Sequence, residues 1–383
     1  MTGSSHESGH RSRLRELLDG VDRPTLLVDE RRARDNIGLM ADRARAAGVR
    51  FRPHFKTHQS AAVGEWFASA GVESIAVSSL GMASYFADAG WRDITLAFPA
   101  NPRRIDELED LARRTSLGTI TDDENVARSL LDRLPQSASV WVEIDPGYGR
   151  TGVSWEEPQR VVELAGLIDS SGAPRLGGLL THAGQTYRAA SADEVRAICA
   201  ETIAKMQHLA DKIDRAIGKL PEISIGDTPS CCLAGDLSGA DEIRPGNFVF
   251  FDLQQLSLGA CEPDRIAAVA ACPVAGVYPR RDEIAIHGGA VHLSKDTAPG
   301  GDRRVHGLLV HRAGDGWSAP DPAARVVSLS QEHGIVRIDA GVTGWSPGDV
   351  ALVAPAHSCL TAEMFGSYLT TGGRRLERFD ARR

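Results

Sequence analysis

Residues 93–145 read "DITLAFPANPRRIDELEDLARRTSLGTITDDENVARSLLDRLPQSASVWVEID". Three short apolar runs alternate in this stretch with two amphipathic segments, whose apolar residues recur at the three-to-four spacing of a helix with one buried face. The runs are 93–98, 116–120 and 139–145, and the amphipathic segments are 103–114 and 123–134. Strands that alternate with helices in this way predict a parallel sheet, because parallel neighbours need a crossover connection.

The same alternation continues on both sides of this stretch. Five further strand-like runs lie at 52–56, 74–79, 175–182, 222–227 and 243–252, and two further helical segments lie at 156–168 and 192–213. Eight strand–helix units over roughly 220 residues match the usual size of a (β/α)8 TIM barrel. The sequence therefore predicts an α/β protein with such a barrel, and a doubly wound open sheet is the alternative.

After about residue 255 the helical periodicity fades. Short strand-like runs separated by Gly, Pro and Asp follow at 265–278, 283–289, 305–312, 323–330 and 333–339. They predict a C-terminal β domain, with which the early run "TLLVD" (25–29) is expected to pair. The predicted domains are a barrel at 30–255 and a β domain built from 1–29 with 256–383.

Composition narrows the class of protein. With 42% hydrophobic and 25% charged residues the chain is of ordinary globular type, and a net charge of -8 offers no basic surface for nucleic acid. The opening "MTGSSHESGHRSR" lacks the apolar centre of a signal peptide, and no later run is long enough to span a membrane, so a cytoplasmic protein without a membrane partner is expected. Six cysteines without a CxxC pair predict mostly buried thiols and no disulfide framework.

The carboxyl ends of the barrel strands are where a catalytic site is expected. Lys56, in "FRPHFKTHQS" (51–60), ends the first predicted strand, and His182 ends the sixth. A lysine aimed into a barrel mouth among apolar neighbours loses hydration, which lowers its pKa and frees its amine for Schiff-base chemistry. A surface lysine in a loop is the alternative, and position alone does not decide between them.

A family resemblance adds to this interpretation. "RPHFKTH" resembles the lysine motif of the fold-type III pyridoxal-phosphate (PLP) enzymes, in the alanine-racemase-like branch that contains D-serine dehydratase and D-threonine aldolase. The motifs "VEIDPGYGRTGV", "GLLTHAGQTY", "IGDTPS", "RPGNFVFFD" and "PAHSC" follow in the family's order through nearly the whole chain. The resemblance implies a barrel followed by a β domain, with Lys56 holding PLP as a Schiff base and acting as the base at the substrate's α-carbon.

The resemblance also implies which residues bind the cofactor. Arg150 corresponds to the family's arginine near the pyridine nitrogen, and three residues correspond to those facing cofactor and substrate: His182, Gln185 and Tyr187. Four residues lie in the two late barrel loops, where phosphate sites are commonly built: Thr228, Ser230, Gly246 and Asn247. For each of these polar residues a turn or helix cap is the alternative.

"GYGRTG" also matches the G-x-G-x-x-G pattern of dinucleotide sites, at Gly147, Gly149 and Gly152. A Rossmann unit normally opens its own domain, however, and four strand–helix units precede this match. A nicotinamide site is therefore not favoured.

"PAHSC" carries a second constellation, because His357 and Cys359 are two residues apart. On an extended segment both side chains point to the same side and can share one metal ion. The resemblance implies a metal pair here, His-x-Cys in D-serine dehydratases and His-x-Asp in the related aldolases. A thiolate selects Zn²⁺ over Mn²⁺ or Mg²⁺. Glu332 and His333 are either neighbours of this metal or part of a strand-end turn, and His287 with His292 is interpreted as structural.

These residues imply a PLP- and Zn²⁺-dependent lyase acting on a β-hydroxy D-amino acid, with Lys56, His357 and Cys359 as the catalytic groups. D-serine dehydration to pyruvate and ammonia is the first expectation, and D-threonine or 3-hydroxy-D-amino-acid aldolase activity, giving glycine and an aldehyde, is the alternative. A racemase is a further option. A non-catalytic PLP-homeostasis protein is the alternative of another class, although the β domain argues against it. In this fold type that domain completes a partner's site, so a homodimer is expected.

Overall fold

The computed structural model describes residues 13–380. Residues 1–12, which open the predicted β domain, and residues 381–383 lie outside the described part. All six cysteines are free, as the absence of a disulfide framework in the sequence predicted.

Eight parallel strands form a barrel, which confirms the predicted fold over the open sheet. In chain order they are Arg50–Phe51, Ser74–Val77, Asp93–Pro99, Ser116–Thr121, Ser139–Asp145, Arg175–Thr181, Glu222–Ile225 and Glu242–Ile243. From the second strand to the eighth, each strand pairs with the next one in the chain, and the eighth pairs with the first. A parallel bridge between His54 and Ala76 links the first strand's continuation to the second, and the Phe55 amide donates to the Ala76 carbonyl at 2.8 Å. The sheet therefore closes on itself.

Two predicted strands are wrong in extent. The first was expected at 52–56 and the eighth at 243–252, but both end before a proline, Pro53 and Pro245. Proline has no N–H to donate to a strand ladder, so regular pairing stops there. After Pro245 the chain turns through the 3₁₀ segment Asn247–Val249. Both departures place loops, rather than strand ends, at the barrel mouth.

Helices surround the barrel. The main ones are Glu30–Ala47, Ala61–Ser69, Leu80–Asp88, Ile105–Arg114, Glu124–Arg133, Pro158–Ser170 and Ala192–Ile217, and the shorter ones are Thr228–Leu233 and Leu253–Ser257. A further short helix, Arg13–Asp19, lies against Gly373 of the β domain. Their limits follow local chemistry. Asp123 accepts from the Asn125 and Val126 amides at one helix start, and Gly218, with φ of 70°, ends the longest helix in the left-handed conformation. Among residues 13–380, no helix is both long and apolar enough to cross a membrane.

The second sheet has nine strands and forms the β domain. They are Thr25–Val28, Ala268–Tyr278, Glu283–His287, Gly307–Val310, Asp321–Leu329, His333–Ile338, Val350–Pro355, Ser367–Thr370 and Arg375–Glu377. Two short helices, Ala290–Leu293 and Ser358–Glu363, lie between strands of this sheet in chain order. The early strand pairs antiparallel with Ala268–Tyr278, as predicted. We propose the domain limits 30–255 and 1–29 with 256–383 on the basis of this strand pairing.

The β domain is tied to the loop that follows the first barrel strand. The Tyr368 hydroxyl donates to the His58 carbonyl at 2.7 Å, and the Ser60 hydroxyl donates to the Glu377 carbonyl at 2.6 Å. The Phe379 amide donates to the Gln59 carbonyl at 2.6 Å. These bonds fix the backbone of residues 58–60, directly after Lys56, against the second domain.

Candidate active site

Lys56 lies in a turn between the first barrel strand and the helix Ala61–Ser69. Its neighbour Phe55 is fully buried, and its ring centroid lies 4.9 Å from those of Phe67 and Phe86 and 5.1 Å from that of Trp91. Such aromatic packing fixes the Phe55 side chain in the core. The turn is thereby anchored on one side, while Lys56 contributes to a cavity on the other.

This cavity has a volume of about 380 Å³, within the usual range of small-molecule sites. It brings together three residues that the sequence predicted for the cofactor site: Lys56, Arg150 and His182. His54, Glu143 and Arg244 line it as well. Six titratable side chains thus converge from different barrel strands and loops, as expected at a barrel mouth.

Burial lowers the pKa of the Lys56 amine, and the positive charge of Arg150 lowers it further, while Cys359 acts in the opposite direction. The direction is the one expected of a lysine that faces inward at a barrel mouth. Burial and the charge of Lys56 also lower the pKa of His182 to about 3. The His182 ring is therefore neutral at physiological pH, with Nδ1 held 2.5 Å from the Gly226 carbonyl oxygen.

Three titratable residues of the cavity were not predicted as site residues: His54, Glu143 and Arg244. The Arg244 guanidinium is buried, and its Nη2 donates to the Thr181 carbonyl at 2.6 Å. The Glu143 carboxylate accepts from the Thr151 hydroxyl at 2.8 Å, while its Oε2 is buried without a partner. Burial raises the pKa of Glu143 and lowers that of Arg244 to about 10. A charged residue within an otherwise apolar strand run was the available signal.

The two late barrel loops meet beside the lysine turn. The Gly246 amide donates to the Thr228 hydroxyl at 3.3 Å, and the Ser230 amide donates to the Asp227 carboxylate at 2.6 Å. A Cβ at Gly246 would lie 2.9 Å from the His54 carbonyl oxygen, so only glycine permits this approach. The Ser230 hydroxyl is buried beside the Asp227 carboxylate and the Cys199 thiol. Both of these loop amides are taken by groups of the chain itself, and the phosphate role of the loops stays a prediction.

The other predicted cofactor residues lie nearby. Tyr187 accepts from the Thr228 amide at 3.4 Å, and burial raises the pKa of its hydroxyl. The Gln185 Oε1 atom is buried without a partner. Asn247 is directed elsewhere, since its Nδ2 donates to Asp252 at 2.6 Å and lies 3.6 Å from the Cys359 sulfur.

The G-x-G-x-x-G match does not form an open anion site. The amides of Gly147, Tyr148 and Gly149 donate to Asp145 Oδ1 at 2.9, 2.8 and 3.1 Å. Because these donors are taken by a carboxylate of the chain itself, they are not free for a pyrophosphate. The expectation that this motif is not a nicotinamide site agrees with this geometry.

His357 and Cys359 form a contacting pair, but not on an extended segment as predicted. The strand ends at Pro355, and Cys359 lies in the first turn of the helix Ser358–Glu363, which follows His357. The Cys359 sulfur lies 3.1 Å from the Thr57 hydroxyl oxygen. Since Thr57 directly follows Lys56, the pair and the lysine share one barrel mouth.

A buried carboxylate orients the histidine of this pair. Asp252 Oδ2 lies 3.3 Å from His357 Nδ1 and accepts from the Ser358 amide at 2.8 Å. Burial alone would lower the pKa of His357, but the neighbouring Cys359 and Asp252 raise it well above its ordinary value. Burial would raise the pKa of Cys359, but His357, Lys56 and the hydrogen bond from Thr57 lower it.

The donor set fits a zinc ion. A thiolate and an imidazole are ligands that Zn²⁺ prefers, and a carboxylate on the far ring nitrogen is the usual partner of a metal-bound histidine. Glu332, for which a place near this pair was one expectation, lies instead beside His287 and His292, at 3.8 and 3.9 Å.

Two family models match the chain. The one described as alanine racemase, N-terminal domain matches residues 28–254, and the one described as putative serine dehydratase domain matches residues 267–371. The first alone covers more than half of the chain.

Individual proteins resemble this chain over nearly its whole length. The D-threo-3-hydroxyaspartate dehydratase of Delftia sp. (strain HT23) is 29% identical over 368 residues, covering 93% of this chain and 95% of that protein. Its solved structure has a TM-score of 0.86 and covers 96% of this chain and 99% of that chain. A D-serine dehydratase of Dictyostelium discoideum is 27% identical over 379 residues, covering 92% and 93%.

The family models and these relatives agree with the motifs read from the sequence. They also agree with the closed barrel and the second sheet. This chain belongs to the alanine-racemase-type family of fold-type III enzymes, for which PLP is the expected cofactor, in the branch whose second part is the putative serine dehydratase domain.

Proposed function

We propose that this protein is a PLP- and zinc-dependent lyase acting on a β-hydroxy D-amino acid, with D-serine dehydration as its first reaction. One observation carries the proposal. The half-buried Lys56 and the His357/Cys359 pair meet at one barrel mouth, where the Thr57 hydroxyl lies 3.1 Å from the Cys359 sulfur. A base for the α-carbon and a ligand pair for a Lewis acid near the β-oxygen are what such a reaction needs.

The cavity supports PLP as the cofactor. Its volume suits a ligand of this size class, and it holds an amine whose pKa is lowered by burial. When bound, PLP supplies an electron sink for the α-carbon. On this proposal Lys56 holds the cofactor, and Arg150 and His182 face its ring. The remaining contacts are assigned to Gln185, Tyr187, Thr228, Ser230 and Gly246, and to the backbone of Asn247, whose side chain is directed to Asp252.

On this proposal several residues of the chain have distinct roles in the reaction. Lys56, whose pKa is lowered by burial, accepts the proton from the substrate's α-carbon. Asp252 holds the His357 ring so that Nε2 is free for the metal, and the Thr57 hydroxyl donates to the Cys359 sulfur. A zinc ion on this pair supplies a Lewis acid for the departing β-hydroxyl.

The sulfur ligand supports dehydration over aldol cleavage. The sequence resemblance associates His-x-Cys with D-serine dehydratases and His-x-Asp with the aldolases, and a thiolate favours Zn²⁺ over Mn²⁺ and Mg²⁺. A solved structure of a D-threo-3-hydroxyaspartate dehydratase with cysteine replaced by alanine is in the metal-free form. D-threo-3-hydroxyaspartate is a second candidate substrate, because the dehydratase 29% identical to this chain is named for it.

The second candidate activity is aldol cleavage, supported by a relative named D-threonine aldolase that is 24% identical over 348 residues. A non-catalytic PLP-binding protein is the candidate of another class, and the metal-type pair in the β domain argues against it. We further propose a cytoplasmic homodimer in which the β domain completes the partner's site.

One incubation tests these alternatives. PLP-loaded protein is given D-serine, D-threo-3-hydroxyaspartate or D-threonine, each with EDTA, without it, and with EDTA followed by Zn²⁺. The expected dehydration products are pyruvate, oxaloacetate or 2-oxobutyrate, respectively, each with ammonia, lost with EDTA and restored by Zn²⁺. L-serine, Lys56→Ala and Cys359→Ala are the controls. Glycine and an aldehyde would establish the aldolase, and no product from protein with bound PLP would favour the non-catalytic alternative.

A further inference from the structure

Three polar side chains of the β domain converge outside the site described above. Potential ligand atoms of His287, His292 and Glu332 all lie within 4.8 Å of one another. Nε2 of His287 is 3.8 Å, and Nε2 of His292 is 3.9 Å, from Glu332 Oε2. Among residues 13–380, this is the one group of three or more His, Cys, Asp or Glu residues that meets this spacing.

The backbone holds these positions together. His287 ends a strand, and the next amide, that of Gly288, donates to the Glu332 carbonyl at 3.0 Å. A Cβ at Gly289 would lie 2.3 Å from the Gln331 carbonyl oxygen, so the two segments approach as closely as only glycine allows. The spacing of the three side chains therefore starts from fixed backbone, which is the condition for a preorganised site.

The His287 and His292 rings are in edge-to-face contact, with centroids 5.4 Å apart, but no hydrogen bond joins either ring to Glu332. The two nitrogen–oxygen distances are too long for hydrogen bonds. His292 Nδ1 is also buried without a hydrogen-bond partner, so the described residues leave this ring poorly satisfied.

A cation between the three groups would satisfy them. Zinc–nitrogen and zinc–oxygen bonds of about 2.1 Å in a tetrahedron put neighbouring ligand atoms roughly 3.4 Å apart. The observed 3.8 and 3.9 Å require a contraction of only about half an ångström, within the reach of side-chain rotation. His287 is 42% exposed and Glu332 is 47% exposed, so an ion in solution reaches the group.

We propose that His287, His292 and Glu332 form a second metal site that binds a divalent transition-metal ion of the zinc class. Two imidazoles and one carboxylate select such ions over Mg²⁺ and Ca²⁺, which prefer all-oxygen ligands. The ion would crosslink the segment 287–292 to the turn at 330–333. This site neither depends on the proposed lyase activity nor contains any residue assigned to it.

A hydrogen bond connects the segment that carries His292 to the helix that carries Cys359. The Leu293 carbonyl, one residue after His292, accepts from the Thr361 hydroxyl at 3.2 Å. Thr361 lies in the helix Ser358–Glu363, which carries Cys359. A metal ion on the second site therefore stabilises a segment on which this helix rests.

Zinc content tests the proposal independently of activity. The full chain carrying His357→Ala and Cys359→Ala lacks the first pair, and after gel filtration in buffer with micromolar free Zn²⁺ it is expected to keep one zinc ion per chain. Adding Glu332→Gln or His287→Asn should weaken that binding at least about tenfold. Both side chains are half exposed, so neither change disturbs the core. His311→Asn, in an exposed histidine–aspartate pair with no third ligand, is the matched control and should keep the ion.

Two results would overturn the proposal. One is a folded double variant that holds no stoichiometric zinc, and the other is zinc binding that is unchanged by both Glu332→Gln and His287→Asn. If the double variant does not fold, the zinc content of the wild-type chain is compared with that of the Glu332→Gln variant. The proposal then requires the variant to bind one zinc ion fewer per chain. Co²⁺ in place of Zn²⁺ gives a second readout, since its visible absorption reports nitrogen and oxygen ligation directly.

Discussion

Replacing Asp252 by asparagine tests how the His357 ring is oriented. Asp252 Oδ2 accepts from Asn247 Nδ2 at 2.6 Å and from the Ser358 amide at 2.8 Å, and lies 3.3 Å from His357 Nδ1. Its Oδ1 accepts from the Gln255 amide at 2.9 Å. The carbonyl oxygen of an asparagine can keep the bond from the Gln255 amide. Its NH₂ group then replaces Oδ2 and faces the three N–H groups of Asn247, Ser358 and His357. The opposite orientation of the amide sacrifices the bond to Gln255 instead.

The expected magnitudes follow from these contacts. Hydrogen bonds to a charged group contribute about 1.5–3 kcal/mol each, so losing the two shortest should lower the free energy of unfolding by roughly 3 kcal/mol or more. Loss of the carboxylate behind a metal-bound histidine typically costs 10–100-fold in affinity, about 1.4–2.7 kcal/mol. We therefore expect folded Asp252→Asn protein to bind Zn²⁺ at the His357/Cys359 pair at least about tenfold more weakly.

The assay is competition for Zn²⁺ with a fluorescent chelator, in a Glu332→Gln background so that only the His357/Cys359 pair is counted. Urea unfolding of the same samples gives the stability change. Asp321→Asn is the matched control, since Asp321 also faces a histidine, His311 at 3.1 Å, but on the exposed surface of the β domain. Unchanged zinc affinity in folded Asp252→Asn protein would refute the orienting role of the carboxylate.

Three further predictions concern the cofactor site. Lys56→Ala should keep the fold by circular dichroism but lose PLP on dialysis, and retention of protein-bound PLP absorbance would contradict the covalent role. Gly246→Ala should weaken PLP binding by about tenfold or more, because its Cβ would lie 2.9 Å from the His54 carbonyl oxygen, whereas Gly235→Ala, with nothing within 4 Å, should not; fluorescence titration measures both. Burial raises the pKa of Asp227 from 3.8 to about 6, so its contribution to stability is full below pH 3.8 and is lost as the pH rises through 6. Asp227→Asn should therefore gain on the order of 1 kcal/mol relative to wild type between pH 5 and pH 8 in urea unfolding, and a pH-independent difference would show that the carboxyl is not perturbed.

The sequence predicted the features that depend on local pattern. Alternating apolar runs and amphipathic segments were enough for the barrel, because each unit buries its own face, and the early strand at 25–28 was paired correctly with the second sheet. The lengths of the first and eighth strands were wrong, since Pro53 and Pro245 stop a ladder that hydrophobicity alone would continue.

The residues of the candidate site likewise fall into those that local motifs predicted and those that they did not. Lys56, His357 and Cys359 stand in recognisable motifs, but Glu143 and Arg244 lie within apolar runs, and only the closed barrel shows that they face one cavity. Asp252 was not found because its partner, the Ser358 amide, is 106 residues away in the chain. Contacts of that kind follow from the packing of two domains, which no local pattern encodes.

The bonds between residues 58–60 and the β domain have a consequence for the order of events during synthesis. The partners of His58 and Ser60 are 310 and 317 residues further along the chain. At about 5–20 residues per second, the ribosome makes the lysine turn roughly 15–60 s before the strands that hold it. We therefore expect a nascent chain to expose a reactive amine without a fixed pocket around it, and to capture PLP only once residues near 370 have docked. Cofactor loading would then report that both domains have folded together.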